Sequence, residues 1–244
     1  MTKFFLRLFS LFSILVAAAV VTAEARTQVY REIAARIWDN HPYPPSLVLS
    51  ALRETGTIPK TLACATGTTV DRAAIALRAL DNALLGRGEL GVDASLSLAM
   101  QAIDDGLACR PLSSQLWLGR FWVRAMAEGY RPELRASFDR SIDTAPYDGW
   151  MMRLRTQVGS RWFYALSDSE RSKFFEDLRY TVDMGFLNDA LTAVERLDNQ
   201  AGILKQEIDK WPTATRDRLA MYLLANGIDL KLATDFKLKP WQHF

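Results

Sequence analysis

Histidine and cysteine are nearly missing from this chain, with two of each in 244 residues. A zinc site of the usual kind takes three or four His or Cys ligands, so none can form here without carboxylates completing it. No metal and no other cofactor is expected. His41 and His243 stand in non-periodic segments far apart in the sequence, neither at helical spacing from another ligand, and neither is expected to act in catalysis. The chain has no G-x-S-x-G turn to carry a nucleophilic serine. An excess of charge of one sign is also lacking. Thirty Lys and Arg against 28 Asp and Glu give a net +2, too balanced for a protein whose main partner is a phosphate backbone. Nucleic acid is therefore not expected as a partner. Alternating strand patterns are almost absent, and Ile228 to Leu232 is too short and isolated to make a sheet.

What is present begins with an address. Lys3 and Arg7 precede an apolar or small-residue run from Leu8 to Val21, and Ala23-Glu24-Ala25 has the small-x-small pattern of a cleavage site. Fourteen helical residues span about 21 Å, short of the roughly 30 Å hydrocarbon core. Residues 1–25 are expected to be a secretory signal peptide. The alternative is an uncleaved anchor that attaches the protein to the membrane through residues 4–23. Either way the rest is exported, to the periplasm or the outer face of the inner membrane. Without residues 1–25 the balance is 28 bases to 27 acids. No long-range field remains to steer a partner, so recognition must be local.

The remainder is expected to be all-α. Thr27 to Asp39 is a short amphipathic segment stopped by the prolines of 42–45. A second short helix covers 46–54 with Ser46 as its cap, and a Thr/Gly-rich connection follows over 55–69. Apolar residues then recur at helical spacing. Ile75, Leu77, Leu80, Leu84 and Leu85 mark one helix, and Leu96, Met100, Ile103 and Leu107 the next. Trp117, Phe121, Trp122, Ala125 and Met126 follow, then Leu134, Phe138 and Ile142, then Met151, Leu154, Val158 and Trp162, then Phe174, Leu178 and Val182. Ser113 or Ser114, Asp148 and the Ser167–Glu170 stretch supply start signals. Gly86-Arg87-Gly88, Pro111, Gly129, Pro146, Gly185 and Asn226-Gly227 supply stops. One helical domain is expected over 70–227, with a looser 26–69 before it and a tail over 228–244.

Sliding the sequence by 35 residues superposes Ala99, Ile103, Asp104, Leu107 and Pro111 on Leu134, Phe138, Asp139, Ile142 and Pro146. This pattern, over about 70–185, resembles the tetratricopeptide repeat, which implies antiparallel helical hairpins stacked as an array. It departs from that pattern at Gly106, where a small packing residue such as alanine is usual. The alternative is a plain α-helical bundle. Leu107-Ala108-Cys109-Arg110-Pro111, Trp117 and Ala145-Pro146 in an exported helical chain also resemble the VpsP-type proteins of bacterial exopolysaccharide gene clusters. That resemblance implies an accessory, non-catalytic role in polysaccharide assembly or export, with an envelope protein as partner.

Exported cysteines normally pair. Cys64 lies just before one helix of an expected hairpin and Cys109 just after the other, which brings both to one end and predicts a disulfide. Asp104-Asp105 and Glu176-Asp177 are neighbours on helices, point about 100° apart, and cannot form a catalytic pair alone. Arg120 and Arg124 share one helical stripe. Trp150, Arg153, Gln157 and Arg161 form another. These six are the candidate partner-binding residues, as the lining of a groove for a peptide or a glycan. The expected function is an exported scaffold of the bacterial envelope, an accessory factor in exopolysaccharide biosynthesis or export. The alternative is a glycan-processing lyase or hydrolase on a helical array.

Overall fold

The computed structural model describes residues 2–38 and 41–232; within the first helix, the side chains of 2–12, 15, 16, 19, 20 and 23 fall outside the description. Among the described residues every regular element is helical, which makes the protein all-α. The chain divides into two compact units, residues 1–129 and 130–244. The division falls within the 70–227 span for which the sequence suggests one domain.

The first unit is built around one helix. In chain order its elements are α1 (Thr2–Trp38), α2 (Pro45–Gly56), α3 (Lys60–Thr66), α4 (Thr68–Leu84), α5 (Val92–Cys109) and α6 (Ser114–Glu128). α4 touches each of the other five. Its alanines make this possible: Ala73, Ala74, Ala76, Ala79 and Ala83 are buried beside Ile75 and Leu80. Small side chains let neighbours approach on several sides, so α4 is apolar over most of its circumference. Leu84 and Leu85, counted on its apolar face in the sequence, are exposed. From α1, Thr27, Ala34 and Ile37 are buried in this unit.

Two sequence expectations need correction here. The 55–69 stretch is no plain connection, because it holds α3 and the start of α4. The cap of α2 is Pro44, with Pro45 at the first helical position, so Ser46 sits inside the first turn. The glycine that departs from the repeat pattern also finds its reason. A Cβ on Gly106 would lie 2.8 Å from Leu116 Cδ1, so any larger residue there would have to displace the Leu116 side chain between α5 and α6.

The second unit opens with a 3-10 turn at Pro132–Leu134. It continues as α7 (Arg135–Thr144), α8 (Gly149–Trp162), α9 (Asp168–Asp183), α10 (Leu187–Arg196), α11 (Ala201–Ile208) and α12 (Thr213–Ala225). The start signals act as expected. The Asp148 carboxylate accepts from the Trp150 and Met151 amides, and Ser167 and Glu170 form a capping box for α9. Phe163, Phe174 and Phe175 meet edge to face, with centroids 5.2 to 5.5 Å apart. The tail from Ile228 to Leu232 forms no strand and packs against this core.

The buried face of α8 differs from the expected one. Leu154 and Val158 are only half-buried, while Met151, Met152, Arg155, Thr156, Gly159 and Ser160 face inward. Arg155 is fully buried and all of its charge is answered. Nε and Nη2 donate to the two Asp177 carboxylate oxygens at 2.7 and 3.0 Å, and Nη1 donates to the Ser141 and Ala145 carbonyls at 3.3 and 3.0 Å. One side chain thus joins α8 to α9 and seals the end of α7. Burial pushes the Asp177 carboxyl up, and the Arg155 guanidinium opposes that push.

The 35-residue offset is visible in the backbone. Arg110 and Ala145, the residues after α5 and α7, adopt φ/ψ of −134/71° and −151/66°. Ser113 and Asp148, which precede α6 and α8, adopt −78/106° and −78/107°. Each unit therefore contains the same helix-proline-helix connection.

Removing Arg155 would leave a buried carboxylate without its counter-charge. Arg155→Ala is expected to destabilise the second unit by about 3–5 kcal/mol in chemical denaturation, and Arg155→Met with Asp177→Leu to recover most of that loss. A single-variant cost under about 1 kcal/mol would mean that the pair behaves as a solvated one.

Candidate functional site

Three clusters of polar side chains stand out, each inside one unit. The first lies at the disulfide end of the first unit. Cys64 and Cys109 are bonded, with Cα atoms 5.3 Å apart, as the hairpin topology predicts. The bridge joins α3 to the end of α5 and places two neighbours. The Thr66 carbonyl accepts from Arg31 Nη2 at 3.1 Å. The Arg110 guanidinium lies against Gly67, a left-handed residue with φ +80° between α3 and α4. Asp71, in the first turn of α4, sits among these groups. Burial pushes its carboxyl up to about 6; the Arg31 and Arg110 charges pull it down, and Glu24 pushes it further up.

The second cluster contains four of the six candidate partner-binding residues. On α8, Arg153 Nε lies 2.5 Å from Asp189 Oδ2 and its guanidinium stacks over Phe186 at 5.2 Å. Gln157 hydrogen-bonds the same Asp189 carboxylate. Both are therefore engaged with α10. Trp150 is half-buried and Arg161 is exposed. Arg196, at the end of α10, donates to the Gln157 carbonyl at 3.0 Å and to Ser160 Oγ at 3.2 Å. Its guanidinium is pushed down by burial and by the neighbouring Arg161 charge. Arg161 and Arg196 thus place two like charges at one end of the stripe.

The remaining two candidates, Arg120 and Arg124, lie on α6 of the first unit. Arg120 Nε is 3.4 Å from Asp104 Oδ1, and its guanidinium lies 5.7 Å from the Trp117 ring. Trp117 donates to the Pro111 carbonyl at 2.7 Å, and Arg124 is half-buried. The neighbouring carboxylates diverge as helix geometry requires. Asp104 faces Arg120, whereas Asp105 pairs with Lys60 at 2.8 Å and Arg72 at 3.7 Å. Likewise Asp177 is buried on Arg155 and Glu176 is exposed.

The third cluster escaped the sequence. Glu170 is buried. Its Oε2 accepts from the Ser167 amide at 2.7 Å and lies 3.1 Å from Arg135 Nε, while Oε1 has no hydrogen-bond partner among the described residues. Burial and the Glu170 charge push up the Asp139 carboxyl, and the same two causes raise the Tyr130 hydroxyl, against the pull of Arg135. Serine followed by glutamate three residues on signals the cap, but nothing local signals the Arg135 or Asp139 contact.

Among the described residues no group of His, Cys, Asp and Glu side chains is placed to hold a metal ion. His243 lies outside them, and His41 is exposed. A shallow depression lined by Pro45, Leu49, Ala79 and Leu90 encloses only about 10 Å³, room for about one water and far below the roughly 300–1,000 Å³ of ligand pockets. No described helix is long and apolar enough to cross a membrane, and the side chains of 4–23 lie largely outside the described set. The chain matches no protein-family model, no curated protein and no solved structure.

Two measurements bear on the disulfide end. The bridge closes a loop of 45 residues, worth about 4 kcal/mol in the chain-entropy model, so reduction should lower the melting temperature of the first unit. Asp71 should show in the pH profile. Its folded value lies above the ordinary 3.8, so its contribution to stability is fully present below about pH 4 and is lost as pH rises through about 6. In the full chain Asp71→Asn should match wild type near pH 4 and melt higher at pH 7. Equal melting temperatures at both pH values would mean that the carboxyl is solvated.

Proposed function

We propose that this is an exported, non-catalytic interaction protein of the bacterial cell envelope, an accessory factor in exopolysaccharide biosynthesis or export. The observation that carries the export half is the Cys64–Cys109 bridge, which uses both cysteines of the chain and is of the kind found mainly in oxidising compartments. The apolar run before Ala23-Glu24-Ala25 points the same way. Support for the interaction half comes from Arg161 and Arg196. Two neighbouring guanidiniums are a receptor for a carboxylate on a partner protein or an acidic glycan. Stacked tetratricopeptide-like hairpins would suit such a scaffold, and the repeated connection at Pro111 and Pro146 supports that arrangement.

One observation favours a second reading, glycan processing. Asp139 and Glu170 lie near Tyr130, and burial together with the Glu170 charge raises the Asp139 carboxyl toward the protonated form that a general acid needs. If that reading holds, Asp139→Asn should abolish turnover of a polysaccharide that the wild type degrades.

N-terminal sequencing of exported material should begin at or near Arg26; a start at Met1 would replace the signal with an anchor. Exported chain cross-linked in cells should retain an envelope partner. Charge reversal at Arg161 and Arg196 together should weaken that capture by about tenfold, ~1.4 kcal/mol. Undiminished capture would remove the pair from the interface.

A further inference from the structure

Two carboxylates compete for one guanidinium at the disulfide end of the first unit. Glu24 and Arg31 lie two turns apart on α1, with Glu24 Oε1 2.7 Å from Arg31 Nη2. Both side chains are about half exposed, 47% and 50%, so the pair is solvated and weak. Asp71 is half-buried in the first turn of α4. It has no ion pair within 4 Å among the described residues. Its charged neighbours are Arg31 and Glu24 from α1 and Arg110 from the end of α5. α3, packed against the same helix, brings no charge over 61–66, and its Lys60 is taken by Asp105. The less solvated carboxylate is the one without the partner.

The bond expected to be cut in export follows Ala25, one residue beyond Glu24. We propose that removal of residues 1–25 is a charge switch, in which Arg31, released from Glu24, becomes the partner of Asp71 and ties α1 to α4. This rests on the processed reading given above. Arg31 needs little movement, because its hydrogen bond to the Thr66 carbonyl already holds it beside the start of α4. The exchange replaces a solvated pair with a half-buried one, where the same charges interact more strongly. Cleavage also gives Arg26 a new α-ammonium on the same helix, a further positive charge near this cluster.

The test follows the Asp71 carboxyl carbon by NMR through a pH titration. The samples are the full chain, its Glu24→Gln variant and the processed protein recovered from exporting cells. The full chain should titrate near 6, Glu24→Gln measurably lower, and the processed protein at least as low. Arg31→Gln in the processed protein should return the midpoint upward. In that protein Asp71→Asn should raise the melting temperature at pH 7 by less than it does in the full chain. An unchanged midpoint in Glu24→Gln overturns the sharing of Arg31 whatever happens to the leader. A shifted midpoint in that variant, with exported protein still beginning at Met1, overturns processing as the trigger.

Discussion

A chain folded into short helices ends many times, and each end leaves up to four carbonyls without an intrahelical donor. Much of this protein is arranged around that shortage, and arginine meets it. Arg78 donates to the Ile37 carbonyl at the end of α1, and Arg31 to Thr66 at the end of α3. In the second unit Arg155 closes α7, and Arg171 reaches the Phe163 and Tyr164 carbonyls beyond α8. Arg218 reaches Val182 and Asp183 at the end of α9, and Arg216 reaches Asp209 after α11. Twenty-two of the 30 basic residues are arginine. A planar fork of five donors can serve a carbonyl and a carboxylate at once, which a lysine ammonium does less well. The basic residues therefore do structural work at short range, consistent with a nearly neutral chain.

That use of arginine explains where the sequence could be understood and where it could not. Helix boundaries depend on local punctuation, and Pro111, Gly129, Pro146, Ser167 and Gly185 fall where the helices break. Helix faces depend on neighbours. The apolar spacing of Met151, Leu154 and Val158 suggested one face for α8, but the acceptors for Arg155 lie on α7 and α9, 10 to 22 residues away. Once those acceptors are in place, burying a fully paired arginine is tolerable and the helix rotates accordingly. α4 misled in the opposite direction. Its leucines suggested a stripe, whereas its alanines allow packing on most sides.

The candidate sites divide along the same line. The disulfide was legible because the expected export and the hairpin topology both bear on it, and neither needs a side-chain contact. The stripe of Trp150, Arg153, Gln157 and Arg161 was legible as a stripe. What engages it was not, since Asp189 stands 32 residues from Gln157. The Arg31–Asp71–Arg110 cluster was invisible. Its members come from α1, α4 and the end of α5, and they meet only through the packing of α4 against α1 and α5, with the bridge holding the end of α5 in place.

The repeated connection shows one local structure held by two different kinds of force. With the 35-residue offset, Cys109 corresponds to Thr144, Gly106 to Ser141 and Arg120 to Arg155. In the first unit the end of α5 is fixed covalently through Cys109, and Arg120 is only partly buried beside Asp104 and Trp117. In the second unit the matching position is threonine. The matching arginine turns inward to take the Ser141 and Ala145 carbonyls and the Asp177 carboxylate. Beside the covalent staple the arginine is partly buried on a half-exposed carboxylate, and without one it is fully buried on a buried carboxylate. The two ends are therefore vulnerable to different conditions. A thiol reductant loosens the first, together with the Arg110 and Thr66 groups around Asp71. Nothing redox-active holds the second, whose integrity rests on keeping water from one ion pair.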